Sequence, residues 1–453
     1  MKLKLHHRVD FLSLWIFVAL FFSSIVGAQI GSISLNKICL LPLIAYFLIK
    51  KINCGRLLVR LPGNNTLVAW YVLCLLSCMI GFLRFNLAEK YTGYLSNLLN
   101  LFAQILLMYL PLTLLALSMD DIDSIYKKFQ KMLVVVCRIH LFWGLVQFIL
   151  YHAIDFDLNE FVFIKVLGGL GRETWTFFMW DYGAPVLRLS GLNYDGAFFG
   201  ILMLIGLAYD TVLIIKVLYI VSILLSVQRS ALVAVVIYMM YLFVKSLRNR
   251  KISRGAIIKS IGVVALASIG MIFAYKSIPA VNDTVSKFID RFDFLSGISN
   301  AGQSSTRHIL YIPLAFITLF GMDFFAVLFG IGPRNSGVAF ALNSDEVGEA
   351  LQLTQFLKNN AWSVECDIAE ILLGTGIIGF ALFYYNCFKL YKKGDSYIKS
   401  FVVILFALGI MYNFSHLTVV NLMLIFSNAK INGKINRKLI KDIIDEGQKK
   451  FKS

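Results

Sequence analysis

Charged residues are scarce in this chain, making up 15% of its 453 residues, whereas hydrophobic residues make up 58%. Proline is also rare, with 7 residues in the whole sequence. A soluble domain needs a largely polar surface, which so few charged side chains cannot supply. The composition therefore excludes an ordinary soluble globular protein and indicates an integral membrane protein.

The motifs of several common enzyme classes are missing as well. Nothing in the sequence resembles a P-loop, a Rossmann dinucleotide-binding unit or an HExxH helix. The 7 cysteines are scattered, mostly within apolar runs, and form no CxxC pair with matching histidines. The DxD pattern at Asp155-Phe156-Asp157 is too short to indicate a metal in a loop with several acids. We therefore expect no disulfides, no bound metal and no cofactor.

What the sequence has in abundance is apolar runs close to the length of a membrane span, which is about 20 helical residues. They predict an all-α protein with a single transmembrane domain over residues 1–453 and about twelve spans. The basic start, Met1 to Arg8, precedes a run without a small-residue cleavage site, so we interpret that run as a span rather than a signal peptide. The predicted spans are Phe11–Val26, Ile33–Ile49, Thr66–Leu83, Asn97–Leu117, Met132–Tyr151, Gly196–Tyr209, Val212–Leu225, Ala231–Val244, Ala256–Tyr275, Asp367–Phe388, Ser400–Tyr412 and Leu417–Phe426.

The positive charge is distributed unevenly between the two sides of these spans. Six segments on one side contain 28 lysines and arginines, whereas the three main segments on the other side contain 10. Cytoplasmic loops carry the excess of basic residues, so both termini are predicted in the cytoplasm. The net charge of +17 is then a topology signal, and we expect no nucleic-acid partner. The cytoplasmic segments are 1–10, 50–65, 118–131, 245–259, 389–399 and 430–453, and the external ones are 85–96, 152–195 and 276–362.

Two external loops, 152–195 and 276–362, are long for a transporter, and long loops on one face suggest chemistry there. Within the larger loop, Ile309–Phe320 and Phe324–Ile331 are apolar but too short to span, which predicts interfacial or re-entrant helices. They would hold the loop close to a lipid-linked ligand. The basic tail 430–453 is predicted as a surface helix beside anionic lipid.

Arginines lie at the external ends of two predicted spans. Arg188 precedes the span that begins at Gly196, and Arg229 precedes the span that begins at Ala231. A guanidinium stays charged and offers a planar fork to oxyanions, so this pair favours a diphosphate ligand. The alternative is that each arginine merely extends to the membrane interface. The large loop adds Arg291, Arg307 and Arg334, together with His308 as a candidate base or phosphate donor.

Acidic residues gather where the large loop re-enters the membrane. Glu365, Asp367 and Glu370 lie within six residues, and the last two are three apart, so they would share a helix face. A carboxylate at this position could deprotonate an acceptor hydroxyl. Acids in a first helical turn also complement the helix dipole, and that purely structural alternative stays open.

Several short motifs occur in a fixed order on this topology. They are Arg188-Leu189-Ser190-Gly191, Gln228-Arg229-Ser230, Phe329-Gly330-Ile331-Gly332-Pro333, Glu365-Cys366-Asp367 and Gly374-Thr375-Gly376-Ile377-Ile378-Gly379. Both long loops also contain an arginine, ten residues and a glycine, in the pairs Arg172 with Gly183 and Arg291 with Gly302. Together these motifs resemble the superfamily of O-antigen polymerases and O-antigen ligases, and the arginine–glycine spacing is associated with its polymerases. The likeness covers most of the region from about Arg172 to Gly379.

The resemblance implies an inverting, lipid-dependent glycosyltransferase of the bacterial inner membrane with its active site facing the periplasm. It would transfer a growing glycan from undecaprenyl diphosphate onto a lipid-linked repeat unit. Arg188 and Arg229, with Arg291 and Arg307, would bind the diphosphate. Glu365, Asp367 or His308 would assist removal of the acceptor proton. A chain-length regulator and a flippase are the implied protein partners, beside lipid-linked oligosaccharides and membrane lipids.

Two alternatives stay open on the sequence. An O-antigen ligase would use the same donor but lipid A–core as acceptor; ligases resemble one another in a histidine late in the large loop, where this chain has Asn359-Asn360-Ala361-Trp362. This departure favours a polymerase. A flippase for lipid-linked oligosaccharide carries charges within its spans. The spans predicted here are almost free of charges, and the main exceptions are Lys37, Arg138, His140 and Lys216.

Overall fold

The computed structural model describes residues 10–30, 33–53, 65–176, 178–179, 186–226, 228–248, 276–277, 282, 304–343 and 363–433. Helices account for nearly all of its regular structure. The exceptions are two antiparallel pairs of two-residue strands, Gln29–Ile30 with Ile33–Ser34 and Phe178–Met179 with Val186–Leu187. The predicted all-α class is confirmed for the described part of the chain.

The helices are α1 (Phe11–Ser24), α2 (Leu35–Ile38), α3 (Leu41–Asn53), α4 (Thr66–Phe82), α5 (Asn86–Lys90), α6 (Tyr94–Leu117), α7 (Ile122–Ile154), α8 (Gly196–Tyr209), α9 (Leu213–Leu225), α10 (Arg229–Arg248), α11 (Ser304–Phe320), α12 (Phe324–Phe329), α13 (Ser336–Leu342), α14 (Asp367–Lys393), α15 (Ser396–Gly409) and α16 (418–433).

Four stretches of these helices are long and apolar enough to cross a membrane: Tyr94–Leu117, Ile122–Ile154, Ser230–Leu247 and Asp367–Lys393. Others are apolar but have at most 17 residues, as in Thr66–Phe82. At about 1.5 Å per residue such a helix is shorter than the hydrocarbon core of roughly 30 Å. The membrane location is therefore supported by helix length and composition, and the number of twelve spans stays a prediction. The predicted span at 256–275 lies outside the described residues.

Prolines explain two local departures from the predicted spans. The span predicted at Ile33–Ile49 is divided, and a new helix, α3, begins at Leu41. Pro42 lies in its first turn, where backbone N–H groups have no partner within the helix, so the missing N–H of proline is tolerated. In α6, a π-helical turn at Ile105–Tyr109 precedes Pro111. Since proline cannot donate to the carbonyl four residues earlier, a widened turn accommodates it.

Helix α8 is the most enclosed helix of the fold, and every one of its 14 residues is buried. It packs against α7, α9, α10 and α15. A helix that is apolar all round is stable only inside a bundle, which explains its run of Phe, Leu, Ile, Met and Gly residues. On the other side of the bundle, α14 packs against α4, α11, α12 and α15.

The glycines of two predicted motifs bring the backbones of α12 and α14 into direct contact. Helix α14 is kinked at Gly376, where φ is 67°, and Gly330 ends α12 with φ 76°. A Cβ added to Gly376 would lie 2.3 Å from the carbonyl carbon of Leu328. The N–H of Gly332 then donates to the carbonyl of Gly374, which the kink makes available (3.1 Å). These glycines therefore have a packing role that is independent of any chemistry.

We predict that Gly376→Ala destabilises the fold, because a methyl group there meets backbone atoms and the left-handed conformation is itself unfavourable by about 1–3 kcal/mol. Thermal unfolding of the purified protein in detergent checks this as a lowered Tm. Gly321→Ala is the matched control, since its nearest contact is 3.5 Å away and its φ is not positive. Equal Tm values for the two variants would contradict the prediction.

Candidate functional site

Arg188 lies in the segment that leads into α8, and the turn between α9 and α10 holds its guanidinium. Its Nε donates a hydrogen bond to the carbonyl oxygen of Ser226 (3.3 Å), and Nη2 donates to the side-chain oxygen of Gln228. Its Nη1 lies 3.8 Å from Oδ1 of Asp195, and the side chain is 12% exposed. Ser226 is where α9 ends, and the partial negative charge of a helix C-terminus suits a cation. Two motifs from separate parts of the sequence therefore meet here.

Arg229 is the first residue of α10, directly after Gln228. The structure places its backbone next to the Arg188 contact, and its side chain is outside the described atoms. The side-chain amide of Gln228 donates to Ser230 Oγ (2.7 Å), so this glutamine connects the Arg188 guanidinium to the start of α10. Arg229 therefore directly follows a residue that contacts Arg188, and a diphosphate site formed by both arginines stays a prediction.

Arg172 joins the same region from the loop 152–195. Its Cζ lies 3.4 Å from the centre of the Tyr194 ring, a cation–π contact, and its Nε is buried without a hydrogen-bond partner. Burial raises the pKa of the Tyr194 hydroxyl, and the charges of Arg172, Asp195 and Glu365 also act on this pKa. Arg172 is therefore connected to Arg188 through the neighbouring residues Tyr194 and Asp195.

Glu365 is exposed, just ahead of α14. Its charge acts on Tyr412, in the loop after α15, as do the charges of Asp195 and Arg188. Tyr412 therefore lies among these charged groups, and its hydroxyl can donate or accept a hydrogen bond there. We name the group Arg172, Arg188, Tyr194, Asp195, Gln228, Glu365 and Tyr412 the arginine cluster.

A second polar group lies where α13, α14 and the loop after α15 meet. Glu370 accepts hydrogen bonds from the backbone N–H of Arg334 and from Ser336 Oγ, and a third from Ser363 Oγ (3.0 Å). Ser363 Oγ in turn accepts from the side-chain amide of Asn413. The loop end at 363–366, the start of α13 and the loop 410–417 are thus fastened to one carboxylate.

His416 completes this second group. Its Nδ1 lies 3.0 Å from Oδ1 of Asn413. Burial, with a further contribution from the charge of Arg334, lowers the pKa of His416 well below its usual range, which favours the neutral imidazole. We name the group Arg334, Ser336, Ser363, Glu370, Asn413 and His416 the glutamate network.

Asp367 has a different role from Glu370 although both belong to the first turn of α14. Its Oδ1 accepts the backbone N–H of Ser415 (3.0 Å), its Oδ2 has no hydrogen-bond partner, and the residue is 0% exposed. Asp367 therefore holds the loop after α15 in place. The predicted acids thus separate into an exposed Glu365, a buried anchor at Asp367 and the centre of a network at Glu370.

A cavity of about 40 Å³ lies beside the glutamate network. This volume suffices for a few water molecules or one small polar group, since a single water needs about 10–15 Å³. Its polar lining residues are Tyr71, Tyr109, Arg334, Glu370, Thr375, Ser415, His416 and Asn421.

The remaining predicted residues are not tested by the structure. Gly183, Arg291 and Gly302 lie outside the described residues, and Arg307 and His308 are described only as backbone in the first turns of α11. Among the described residues no group of three or more histidine, cysteine or acidic side chains could hold a metal ion. The absence of a metal therefore stays a prediction.

The sequence analysis did not single out Asn413, His416, Tyr194 or Tyr412 as site residues. The signal for the first two was a polar stretch, Asn413-Phe414-Ser415-His416, between two apolar helices. Asn413 contacts Ser363, which lies 50 positions earlier in the sequence, and no local pattern reveals such a contact.

No known protein-family model matches this chain, and no curated protein matches it. The function proposed below therefore depends on the geometry of the two polar groups and on the motif resemblance.

Proposed function

We propose that this chain is an oligosaccharide repeat-unit polymerase, an inverting glycosyltransferase that uses undecaprenyl diphosphate-linked glycan. It would act at the periplasmic face of a bacterial inner membrane, with about twelve spans and both termini in the cytoplasm. The observation that supports this most is the arginine cluster, in which Arg172 and Arg188 are held beside Tyr194 and Asp195. Fixed guanidinium groups near an exposed carboxylate suit a diphosphate leaving group and a sugar hydroxyl.

In the proposed reaction the diphosphate of the donor binds at Arg188 and Arg229. The acceptor hydroxyl oxygen attacks the anomeric carbon of the growing glycan from the side opposite the diphosphate. The new C–O bond forms as the bond from that carbon to the phosphate oxygen breaks, and undecaprenyl diphosphate leaves with the bonding electrons. Preorganised cations stabilise the negative charge that develops on the leaving oxygen, and removing one such contact costs about 10²–10³ in rate.

The three predicted bases differ in how well their surroundings support that role. Glu365 is exposed, and its charge acts on Tyr412 together with that of Arg188. Asp367 is fully buried and bound to Ser415, which favours a structural role. His308 lies near the start of α11, and its side chain is outside the described atoms.

The flippase alternative is less well supported by the charged residues inside the helices. Arg138 forms a two-point ion pair with Asp210 (2.7 and 2.8 Å), and His140 bonds to Ser24 (2.8 Å). These groups fasten α7 to the α8–α9 turn and to α1. The ligase alternative shares the donor site, so only the acceptor distinguishes it.

The test is a gel of lipopolysaccharide from a strain that lacks the gene, beside the complemented strain. A polymerase predicts that the ladder collapses to core plus a single repeat, because ligation and flipping still operate. Loss of the single repeat as well would reject the polymerase and favour the ligase or the flippase. A chain-length regulator, if it is a partner, would alter the spacing of the ladder without removing it.

A further inference from the structure

The glutamate network has a direction when Glu370 is ionised, because a carboxylate can only accept hydrogen bonds. Ser363 donates its hydroxyl proton to Glu370, so its oxygen is left to accept from the Asn413 amide group. That contact fixes which end of the Asn413 side chain is nitrogen, and its oxygen therefore faces His416. An amide oxygen accepts only, so Nδ1 of His416 must carry the proton.

A neutral imidazole protonated at Nδ1 has its lone pair at Nε2, and neutral histidines oriented in this way serve as bases. His416 lines the cavity beside the network. A base held by a second side chain, which is itself held by a third, is the arrangement that keeps the basic nitrogen oriented towards a reacting group.

Arg334 lines the same cavity, and its guanidinium can only donate hydrogen bonds. Its backbone has a φ of 67°, which is unusual for a residue with a side chain. Two contacts enforce this conformation: its N–H donates to Glu370, and its carbonyl accepts from the Asn97 amide (3.3 Å). Strained residues of this kind concentrate at functional sites. Within the described part of the chain, no ion pair to the Arg334 guanidinium is found.

The geometry points to a hydroxyl-binding site between Arg334 and His416, in which His416 Nε2 is the base that takes the proton of the acceptor sugar. This inference rests on the proposed polymerase function. Arg334 donates to the hydroxyl oxygen, which orients the O–H towards the imidazole. As the oxygen forms its bond to the anomeric carbon, its proton moves to Nε2 and the glycosyl–phosphate bond breaks.

The loop 410–417 connects this site to the arginine cluster. Tyr412 senses the charge of Arg188, and the next residue, Asn413, belongs to the glutamate network. The arginine cluster and the glutamate network therefore share the loop 410–417. Ser415, anchored by Asp367, fixes the position of that loop.

The experiment measures polymer formation by purified protein in detergent, supplied with a lipid-linked repeat unit. His416→Gln is expected to lower the rate roughly 100-fold or more, as removal of a general base does. Added imidazole should restore part of the activity of His416→Ala, which a merely structural role would not allow. His152→Gln is the matched control and is expected to keep most of the wild-type rate, because this histidine is exposed and belongs to neither polar group.

Several outcomes separate this inference from the proposed function. An inactive wild-type protein would reject the polymerase itself. An active wild type with a fully active His416→Gln variant would overturn the role of His416 while the polymerase stands. If neither His416 variant folds, diethyl pyrocarbonate labelling of the wild type decides. The repeat-unit lipid should then protect His416 but not the exposed His152; equal labelling with and without the lipid would overturn the inference.

Discussion

Arg188→Ala is expected to leave lipid A–core with a single repeat unit, although the variant accumulates in the membrane at the normal level. The guanidinium is held by Ser226, Gln228 and Asp195, so it is placed before any ligand arrives. A cation that needs no reorganisation stabilises the departing diphosphate most, and we expect the rate to fall by about 10²–10³. Gel analysis of lipopolysaccharide and an immunoblot of the membrane fraction measure the two quantities.

Arg188→Lys should be impaired almost as strongly, since an ammonium cannot contact Ser226 and Gln228 together with a phosphate in the fork geometry. Arg84→Ala is the control. Arg84 lies after α4 and pairs with the half-exposed Asp323 (2.7 Å), and such surface pairs contribute little to stability. A full-length ladder from a well-expressed Arg188→Ala variant would remove Arg188 from the diphosphate site. A lost ladder in Arg84→Ala would show that the assay does not discriminate among external arginines.

Apolar patterning predicted the helices well where a run is bounded by polar residues. The span predicted at Gly196–Tyr209 agrees with α8, because Asp195 caps its N-terminus and Asp210 follows its end. Patterning could not predict that α7 starts at Ile122, ten residues before the predicted span, because Lys127, Lys128 and Lys131 continue the helix into the polar region. A helix is interrupted by the loss of hydrogen bonding, which charged residues do not cause.

The candidate site was only partly accessible from the sequence. Arg188 and Gln228 belong to separate motifs. They come into contact because α8 and α9, which lie between them in the sequence, pack against each other as a hairpin. The different contacts of Asp367 and Glu370 were not predictable from the sequence. Helical spacing fixes the face on which a side chain lies, but not which distant segment packs against that face. The contacts of Arg334 and Ser336 with Glu370, and of Ser363 with Asn413, join residues 34 to 50 positions apart, so the glutamate network exists only once α13 to α15 have packed.

The motif glycines have a role in packing that differs from the chemical role proposed for the polar residues near them. The glycines at 330 and 376 are needed because backbone atoms lie where a side chain would be. Their effect on the site is indirect. The close approach of the α12 and α14 backbones places Arg334, which follows α12, beside the start of α14, where its N–H donates to Glu370. A motif match at these glycines is therefore evidence for the local fold, whereas Arg334, Glu370 and His416 carry the chemistry that we propose.

Glu370→Gln is expected to lower polymer formation about as much as loss of His416, roughly 100-fold, with the fold preserved. The oxygen of the introduced amide must face the N–H of Arg334, which can only donate, so its NH₂ group faces Ser336 and Ser363. Ser363 then accepts from that NH₂ group and donates to Asn413, whose amide turns over. The Asn413 NH₂ now meets His416 Nδ1, the imidazole changes to its other tautomer, and Nε2 loses its lone pair.

Asp367→Asn is the control for this change, since it makes the same acid-to-amide replacement one helical turn away. Its Oδ1 still accepts from Ser415, and the new NH₂ takes the place of an oxygen that had no partner. We expect most of the activity to persist, with a modest loss of stability from the buried, unpaired donor of about 1–3 kcal/mol. Rates in the purified assay and Tm values for both variants test the pair together. Full activity in Glu370→Gln would mean that the network does not set the tautomer of His416, because the reversal of its hydrogen bonds would then have no chemical effect.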